Sequence, residues 1–551
     1  MKVLKNMKLI IFGVFTLGIL GYLFVEVPNI NPFFLEGAFF WCFIVTGYIA
    51  IWGLLRFGEV SFNFVQNAQQ KPGFNYVPNR KFPGLWKFIV FAPWVFLVAM
   101  LVISSPLISW KAYRDQLGTP DKKVFSSDIQ AIDTSKIPII DKQLALNLAD
   151  KELGSRPSLG NQVDLGEPTI QKVNDELVWI VPLQHSGFFK WLTNMGGSPG
   201  YIVVSATNRS DAEYVENFKV KYQPNLYLFD DLVRHIRFKG YFFKGIIDYS
   251  FEVDDNWQPH WVITTYENER GFALPESNGV LILNASTGEI QEYGLDNIPD
   301  WVDRVQPEEF IIRQIDNQGQ FVKGIFNFAN KDKFKASLGH AIVYNKGRCY
   351  LFTGLTSVGK DESAIGFIMV DMVTKESILY EINGATEISA QRSAEGKVQH
   401  LQYLATFPLI LNINGQPTYF MALKDKVGLV KQYAFVSVSD YSIVGTGEEV
   451  SEALTDYTKV MRNYGTSSFK PDVTVEKETI TGIIKRIAVE YTDKQASYKI
   501  ILEEKPGKIF ILPSSISDEL ALSVAGDTVT IEHPLMDSDI LIGNTFENNN
   551  I

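Results

Sequence analysis

Hydrophobic residues are distributed on two scales along this chain. Up to residue 108 they form three long runs, residues 9–25, 34–55 and 85–108, and beyond that they alternate with polar residues in short segments. A run of roughly 17–25 apolar residues spans a bilayer as a helix, so residues 1–110 are expected to form a three-helix transmembrane anchor. Trp86, Trp94 and Trp110 stand where interfacial anchors belong, and Pro93 and Pro106 fall inside the third run. Glu36 and Lys87 lie at run ends, where a side chain reaches the interface, so neither needs a role inside the membrane. The basic start and apolar centre of the first run also fit a signal peptide. No small-x-small cleavage site follows Val25, however, and two further runs come after it, so an uncleaved span is expected.

The alternating part is organised around residues 278–293, NGVLILNASTGEIQEY. An Asn278-Gly279 turn, an alternating run from Val280 to Leu283, a second turn from Asn284 to Gly288 and a return at Glu289-Ile290 predict a β-hairpin. The shape recurs. Four loosely similar units are expected at residues 125–220, 221–304, 305–383 and 384–455. Each has a helical segment (143–153, 226–238, 307–328, 385–398) and an aromatic-centred strand (177–183, 260–265, 349–353, 418–423). A second strand ending in a turn follows (201–205, 279–283, 366–370, 433–438). Trp179, Trp261, Tyr350 and Tyr419 centre the aromatic strands, 82, 89 and 69 residues apart. Such a period suits one small helix-plus-antiparallel-sheet unit per repeat, stacked in a row. The turn survives best in the middle pair, where Asn284-x-x-Thr287-Gly288-Glu289 has the spacing of Asp371-x-x-Thr374-Lys375-Glu376, while the outer units keep only the strands. The competing reading is that any β-rich chain offers aromatic strands followed by apolar ones.

At these residues the chain resembles PepSY-type domains, a helix packed on a small antiparallel sheet with a W-x-V strand and a G-x-h-x-V-D-A-x-T-G-E hairpin. The matching residues are Trp261-Val262-Ile263 and Gly279 through Asn284-Ala285-Ser286-Thr287-Gly288-Glu289, with Asn284 where the family usually has Asp. One unit matches well, one in part and two in outline. The resemblance implies binding, inhibition or regulation outside or at a membrane, not catalysis. It makes Trp179, Trp261, Tyr350, Tyr419, Thr287, Gly288 and Thr374 markers of the fold.

Residues 462–474, with Gly465-Thr466-Ser467-Ser468 and Pro471, read as a linker. Segments 479–488, 497–504, 508–512 and 527–533 predict strands and 517–522 a short helix, so residues 474–540 are expected to form a small β-barrel of the OB or SH3-like kind. The fold class is therefore α+β. Such a barrel could stack nucleic-acid bases on Tyr491, Tyr498 and Phe510, but the stretch is rich in acids, and a protein-contact or packing module is expected instead.

Charge sharpens the division. The 551 residues exceed one core, which stops growing near ~250–300 residues. Residues 1–108 hold eight Lys/Arg and three Asp/Glu, a net +5, so the total of −11 leaves −16 for the rest. A body of that sign excludes a general nucleic-acid surface. The N-terminal tail has three Lys, the loop 26–33 no Lys or Arg, and the loop 56–84 carries Arg56, Lys71, Arg80 and Lys81. The positive-inside rule then puts the N-terminus in the cytoplasm and, after three spans of a plasma membrane, the body from about residue 110 outside. Lys111 and Arg114 argue against that orientation. Two cysteines, Cys42 and Cys349, form no disulfide framework and no CxxC site.

Candidate chemistry is sparse. Gly354 to Lys360 nearly matches a phosphate-binding loop, but Asp361 replaces the Ser/Thr that would hold Mg²⁺, and a strand follows too soon for a crossover helix. Gly196 to Gly200 matches GxSxG, yet Pro199 follows the Ser and a strand, not a helix, comes next. His185, His235, His260, His340, His400 and His533 make no metal-binding spacing. Asp230-Asp231, Asp254-Asp255 and Asp361-Glu362 read as solvated acidic pairs, Cys349 as a packed thiol, and the sequons at Asn208 and Asn284 matter only in a glycosylating system. No catalytic residue, cofactor or metal is expected. The leading expectation is a membrane-anchored extracytoplasmic binding, scaffold or regulatory protein, with the lipid bilayer and other envelope proteins as partners and no nucleic acid. The alternatives are a structural subunit of a homo-oligomeric envelope assembly and an enzyme whose site is assembled across the repeats.

Overall fold

A computed structural model describes residues 2–63, 73–78, 84–129, 137–208, 212–358, 364–382, 384–413, 415–464, 477–492, 495–514, 516–534, 540–543 and 545–551. It is a mixed α+β protein with many antiparallel sheets. Apolar helices Lys2–Val25, Leu35–Phe57 and Gly84–Ser104 come first. By length and composition, the stretch Leu35–Gly53 suffices to cross a membrane. The stretch Phe88–Ser104 passes only together with Pro106–Asp115, from which it is bent by 53°, and Ile10–Val25 is a shorter apolar helix. The break falls at Ser105, whose hydroxyl caps the helix that Pro106 starts. An antiparallel hairpin, Gly58–Asn63 with Gly73–Pro78, lies between the second and third helices. The linker expected at 462–474 falls largely outside the described residues.

Four antiparallel meanders follow, each preceded by a helical segment. The first contains Thr169–Val173, Glu176–His185, Ser198–Ser205 and Ala212–Val220. The second contains Gly245–Val253, Pro259–Arg270, Ala273–Asn284 and Ile290–Gly294. The third contains Ala341–Asn345, Arg348–Ser357, Ala364–Asp371 and Ser377–Tyr380. The fourth contains Leu409–Ile413, Gln416–Lys424, Val430–Ser437 and Val444–Gly447. Three of the four helices start where the sequence supplies a side-chain cap, and Glu308–Gln320 follows Pro307 without one. Asp141 accepts from the Leu144 amide at 3.0 Å, Asp231 from Arg234 at 2.8 Å and Thr386 from Ser389 at 3.2 Å. Their inner faces are small or aliphatic, so helix and sheet approach closely: Ala145, Ala149, Ala390 and Ala394 are fully buried. Two helical expectations were too long. The stretch 226–238 breaks into short turns around a five-residue helix, Leu232–Ile236, and the helix expected at 307–328 stops at Gln320.

One backbone knot recurs in all four meanders. The residue after the third strand, Ala206, Ala285, Met372 or Val438, offers its carbonyl to the segment that enters the helix: Ile139 and Ile140, Lys221 and Tyr222, Val305 and Gln306, or Ala385. Its own amide returns to the start of the second strand, at Leu177, Pro259, Cys349 or Pro417. These bonds satisfy polar groups at a buried chain crossing.

The meanders share cores with one another in sequence, and the fourth shares one with the first. Val178 and Ile180 of the first sheet pack with Trp261 and Leu283 of the second. Val262 and Ile282 of the second reach Val305 and Val373. Phe352 and Met369 of the third pack with Tyr419 and Val436 of the fourth. Phe420 and Phe435 of the fourth pack with Trp179 and Val204 of the first, and Lys424 bridges to Asp141 at 2.5 Å. The row of units expected from the sequence is therefore closed into a ring, because every sheet is apolar on both faces and a row would leave two faces in water.

Asn278-Gly279 forms no turn. The chain reverses at Gly271-Phe272, and Asn278 sits in a bulge where Tyr266 pairs with Ser277 and Thr265 with Gly279. A Cβ at Gly279 would overlap the Tyr293 carbonyl, and one at Gly366 that of Tyr380, so these glycines permit strand approach and not chain reversal.

The C-terminal part has its own core, from Ile480 and Ile500 to Val529 and Phe546. Its strands run in the order Ile540–Ile542, Ile509–Pro513, Gln495–Leu502, Lys477–Thr492, Thr528–Pro534, Thr545–Asn548. That is an open six-stranded path among the described residues, which does not confirm the small OB or SH3-like barrel expected at 474–540. The long strand Lys477–Thr492 breaks register between Ile484 and Arg486, bending the sheet without joining its ends.

Candidate functional site

The Trp179 indole donates to the Ile140 carbonyl at 2.8 Å and Trp261 to Tyr222 at 2.7 Å, in both cases the residue that enters the backbone knot. The Tyr419 hydroxyl meets the corresponding carbonyl, Ala385, at 3.0 Å. Tyr350 does not belong with them. Trp179 faces Val204, Trp261 faces Leu283 and Tyr419 faces Val436, each two residues before the knot, whereas in the third sheet that place pairs Val370 with Leu351. Tyr350 pairs with Asp371 and points to the opposite face, because a one-residue slip in a strand exchanges its faces.

Thr287, Gly288 and Thr374 lie in two matching turns. Asn284 Oδ1 accepts from the amides of Ser286 and Thr287 at 3.1 and 2.9 Å, and Asp371 Oδ1 from Val373 and Thr374 at 2.9 and 2.8 Å. Gly288 and Lys375 both take positive φ, +74° and +64°. The Asn284 and Asp371 side chains hold these turns. Asp371→Ala is expected to cost roughly 1–2 kcal/mol in chemical denaturation, while Asp371→Asn, which reproduces the Asn284 geometry, should cost much less. An equal loss in both variants would remove this role.

The ring's centre gathers polar residues that sequence reading did not single out. Gln171 is 1 % exposed and pairs with both the amide and the carbonyl of Val253, at 3.0 and 2.7 Å. Asp303 accepts from the Lys172 amide at 2.8 Å and the Tyr344 hydroxyl at 3.0 Å. Arg304 donates to the Ile170 carbonyl at 3.1 Å and to Glu308 at 3.3 Å. Glu252 is also 1 % exposed and accepts from the Ser250 hydroxyl at 2.6 Å. Burial pushes its carboxyl up to about 8, a shift that the Ser250 bond and Arg304 oppose and Asp303 reinforces. Burial likewise pushes the Cys349 thiol up to about 12, which suits a packed residue and not a nucleophile. These groups tie the innermost strands of three sheets together. Their separation in sequence, with 132 residues from Gln171 to Asp303, hides the cluster from any motif search.

A cavity of ≈ 440 Å³ lies between the helices and the body. Phe34, Tyr266, Phe272 and Phe310 form apolar walls, and Glu36, Arg237, Arg313 and Gln314 bring polar groups to it. Arg237 is 5 % exposed, with Nη1 donating to the carbonyls of Tyr241 and Lys244 at 2.6 and 2.7 Å. Three buried polar atoms without a hydrogen-bond partner belong to its lining residues: Arg237 Nε, Gln314 Oε1 and Asn317 Nδ2. Burial holds the Arg237 guanidinium below its usual range, against the pull of Tyr249 and Glu36. A cavity of this character can take a small polar or amphipathic molecule.

Of the remaining sequence candidates, Ser198 has a structural role. Ser198 is fully buried within strand Ser198–Ser205, where its hydroxyl meets the Leu183 and Val220 carbonyls and accepts from Gln223 at 2.8 Å. Lys360, Asp361 and Glu362 of the phosphate-loop-like stretch, and Ser210 of the first sequon, lie outside the described residues. Cys42 and Cys349 are free and buried. Among the described residues, no group of three or more His, Cys, Asp or Glu could hold a metal ion.

No family model and no curated protein matches this chain. Among solved structures it is similar to the crystal structure of a B. megaterium levansucrase mutant, with 8% identity, a TM-score of 0.18 and coverage of 76% of this chain and 97% of that one. A likeness at that level bears on neither the fold nor the activity.

Proposed function

We propose that this is a membrane-anchored, non-catalytic binding or scaffold protein, with four PepSY-like units as its body. The observation that carries this reading is the joint between apolar helices and ring. Arg234 of the second unit donates to the carbonyls of Phe24 and Val25, at 2.8 and 3.3 Å, where the first helix runs out of internal partners. Phe272, at the tip of the second unit's hairpin, packs against Ala38, Cys42 and Leu97 of the second and third helices, and its amide donates to Ser104 at 2.7 Å. The body is thus held rigidly at the helix ends, as a scaffold requires. The recurring knot, the matching turns and the shared helix-then-meander order support one ancestral unit used four times. The three helices cross the plasma membrane, the N-terminus is cytoplasmic, and the body is extracytoplasmic. Protease treatment of intact spheroplasts is the test: cleavage within residues 125–551 is expected, and full protection of that region would overturn the orientation.

A second reading, a subunit of a homo-oligomeric envelope assembly, is favoured by the C-terminal sheet, whose core contains only residues of that sheet and its own loops. The mass of the detergent-solubilised protein decides, and a strict monomer removes this reading.

A further inference from the structure

The body exposes large apolar side chains on the segments 188–192, 227–229 and 238–243. Phe189 is 77% exposed, Phe243 54%, Phe229 52% and Phe238 46%. Ring contacts link this surface to the helices. Phe229 and Phe238 lie 5.5 Å apart, and Phe24 touches both, at 5.7 and 6.0 Å. Phe188 extends it through Tyr227 at 5.1 Å, next to Leu228. Phe24 belongs to the last turn of helix Lys2–Val25, so the aromatic surface continues directly from an apolar helix. Phe243 is placed at the same level, since its carbonyl accepts from Asn31 in the link between the first two helices at 2.9 Å. The other flank is similar: Phe326 and Phe328 are 77% and 85% exposed, following Gly324, which packs beside the Trp110 ring.

Exposed aromatic surface of this extent is unfavourable in water and marks an interface. Its place at the body-side ends of apolar helices, on both flanks, selects the partner. Aromatic rings at that depth belong to the boundary between acyl chains and headgroups. Lys190 and Lys239 stand within the same segments and suit anionic headgroups.

We propose that this aromatic skirt is a bilayer contact: the ring lies against the headgroup layer of the membrane its helices enter, with Phe189 and Phe243 among the upper acyl carbons. The inference rests on the membrane-anchor reading and adds a fixed orientation of the body to it. Both native cysteines are buried, so single exposed cysteines can be labelled selectively in the full chain. Phe189→Cys, Phe243→Cys and a control, Val427→Cys, each carry a fluorophore in phosphatidylcholine–phosphatidylglycerol vesicles with lipids brominated near the carbonyl end of the acyl chains. Val427 is 74% exposed in a hairpin loop of the fourth sheet, which shares no core cluster with the second. The labels at 189 and 243 should be quenched at least about twofold, as expected for rings in the boundary layer, and the label at 427 should be unaffected. Equal behaviour of all three labels, in protein that still resists alkaline extraction, overturns the skirt and leaves the anchor standing. Loss of the protein on alkaline extraction overturns both.

Discussion

Trp261→Ala should destabilise the body by about 3–5 kcal/mol, the usual cost of removing a large core aromatic, and the loss should be felt beyond its own sheet. The indole is 3 % exposed, packs edge-on to Phe251 at 5.1 Å, and carries the hydrogen bond to the Tyr222 carbonyl. It also sits in the core shared with the first sheet, beside Val178 and Ile180. The truncation therefore removes packing from two units and leaves a buried carbonyl unpaired, which alone costs roughly 1–3 kcal/mol. Trp261→Phe separates these contributions, since it keeps much of the ring and loses only the donor. Urea denaturation of the two variants gives the split, and a loss below 1 kcal/mol for Trp261→Ala would mean that the shared core is not the source of cohesion.

Glu252→Gln should have the opposite sign and a distinct pH dependence. The folded carboxyl titrates at about 8, above the ordinary carboxyl value of 4.5. The folded state thus holds its proton more tightly than the unfolded chain, and the unfolded chain releases it first as pH rises. The stability this proton provides is complete below about pH 4.5 and is lost progressively as pH climbs to 8. At about 1.36 kcal/mol per unit, the loss across that window is on the order of 3–5 kcal/mol. Glutamine keeps an acceptor for the Ser250 hydroxyl and cannot ionise, so the variant should be flat over this range and more stable than the parent at pH 9. Thermal unfolding from pH 5 to 9 measures both, and parallel profiles would show that Glu252 is not the group concerned.

Much of the architecture was legible because it follows from period. Short apolar runs bounded by turn residues marked the strands, and the N-x-x-T-G-E and D-x-x-T-K-E spacings marked turns whose side chains do hold the backbone. Register was not legible to one residue. Tyr350 is the more conspicuous aromatic, but Leu351 occupies the place of Trp179 and Trp261, and no propensity distinguishes adjacent residues of a fully buried strand. Closure into a ring was hidden for a related reason: apolar residues on both strand faces say that both are covered, and not by what. The central polar cluster and the cavity against the helices draw residues from distant segments that acquire meaning only when the sheets meet. Asn278-Gly279 misled because the same dipeptide serves a two-residue turn and a strand bulge, and only the partner strand decides.

The four sheets and their helices are expected to behave as one closed body. Scanning calorimetry of Trp261→Ala beside the parent, in detergent, tests this most directly. A closed ring predicts that residues 137–464 unfold in a single transition that moves as a whole to lower temperature, with the C-terminal sheet free to melt separately. Several independent transitions, of which the substitution shifts only one, would show separate domains on a string and would contradict the account.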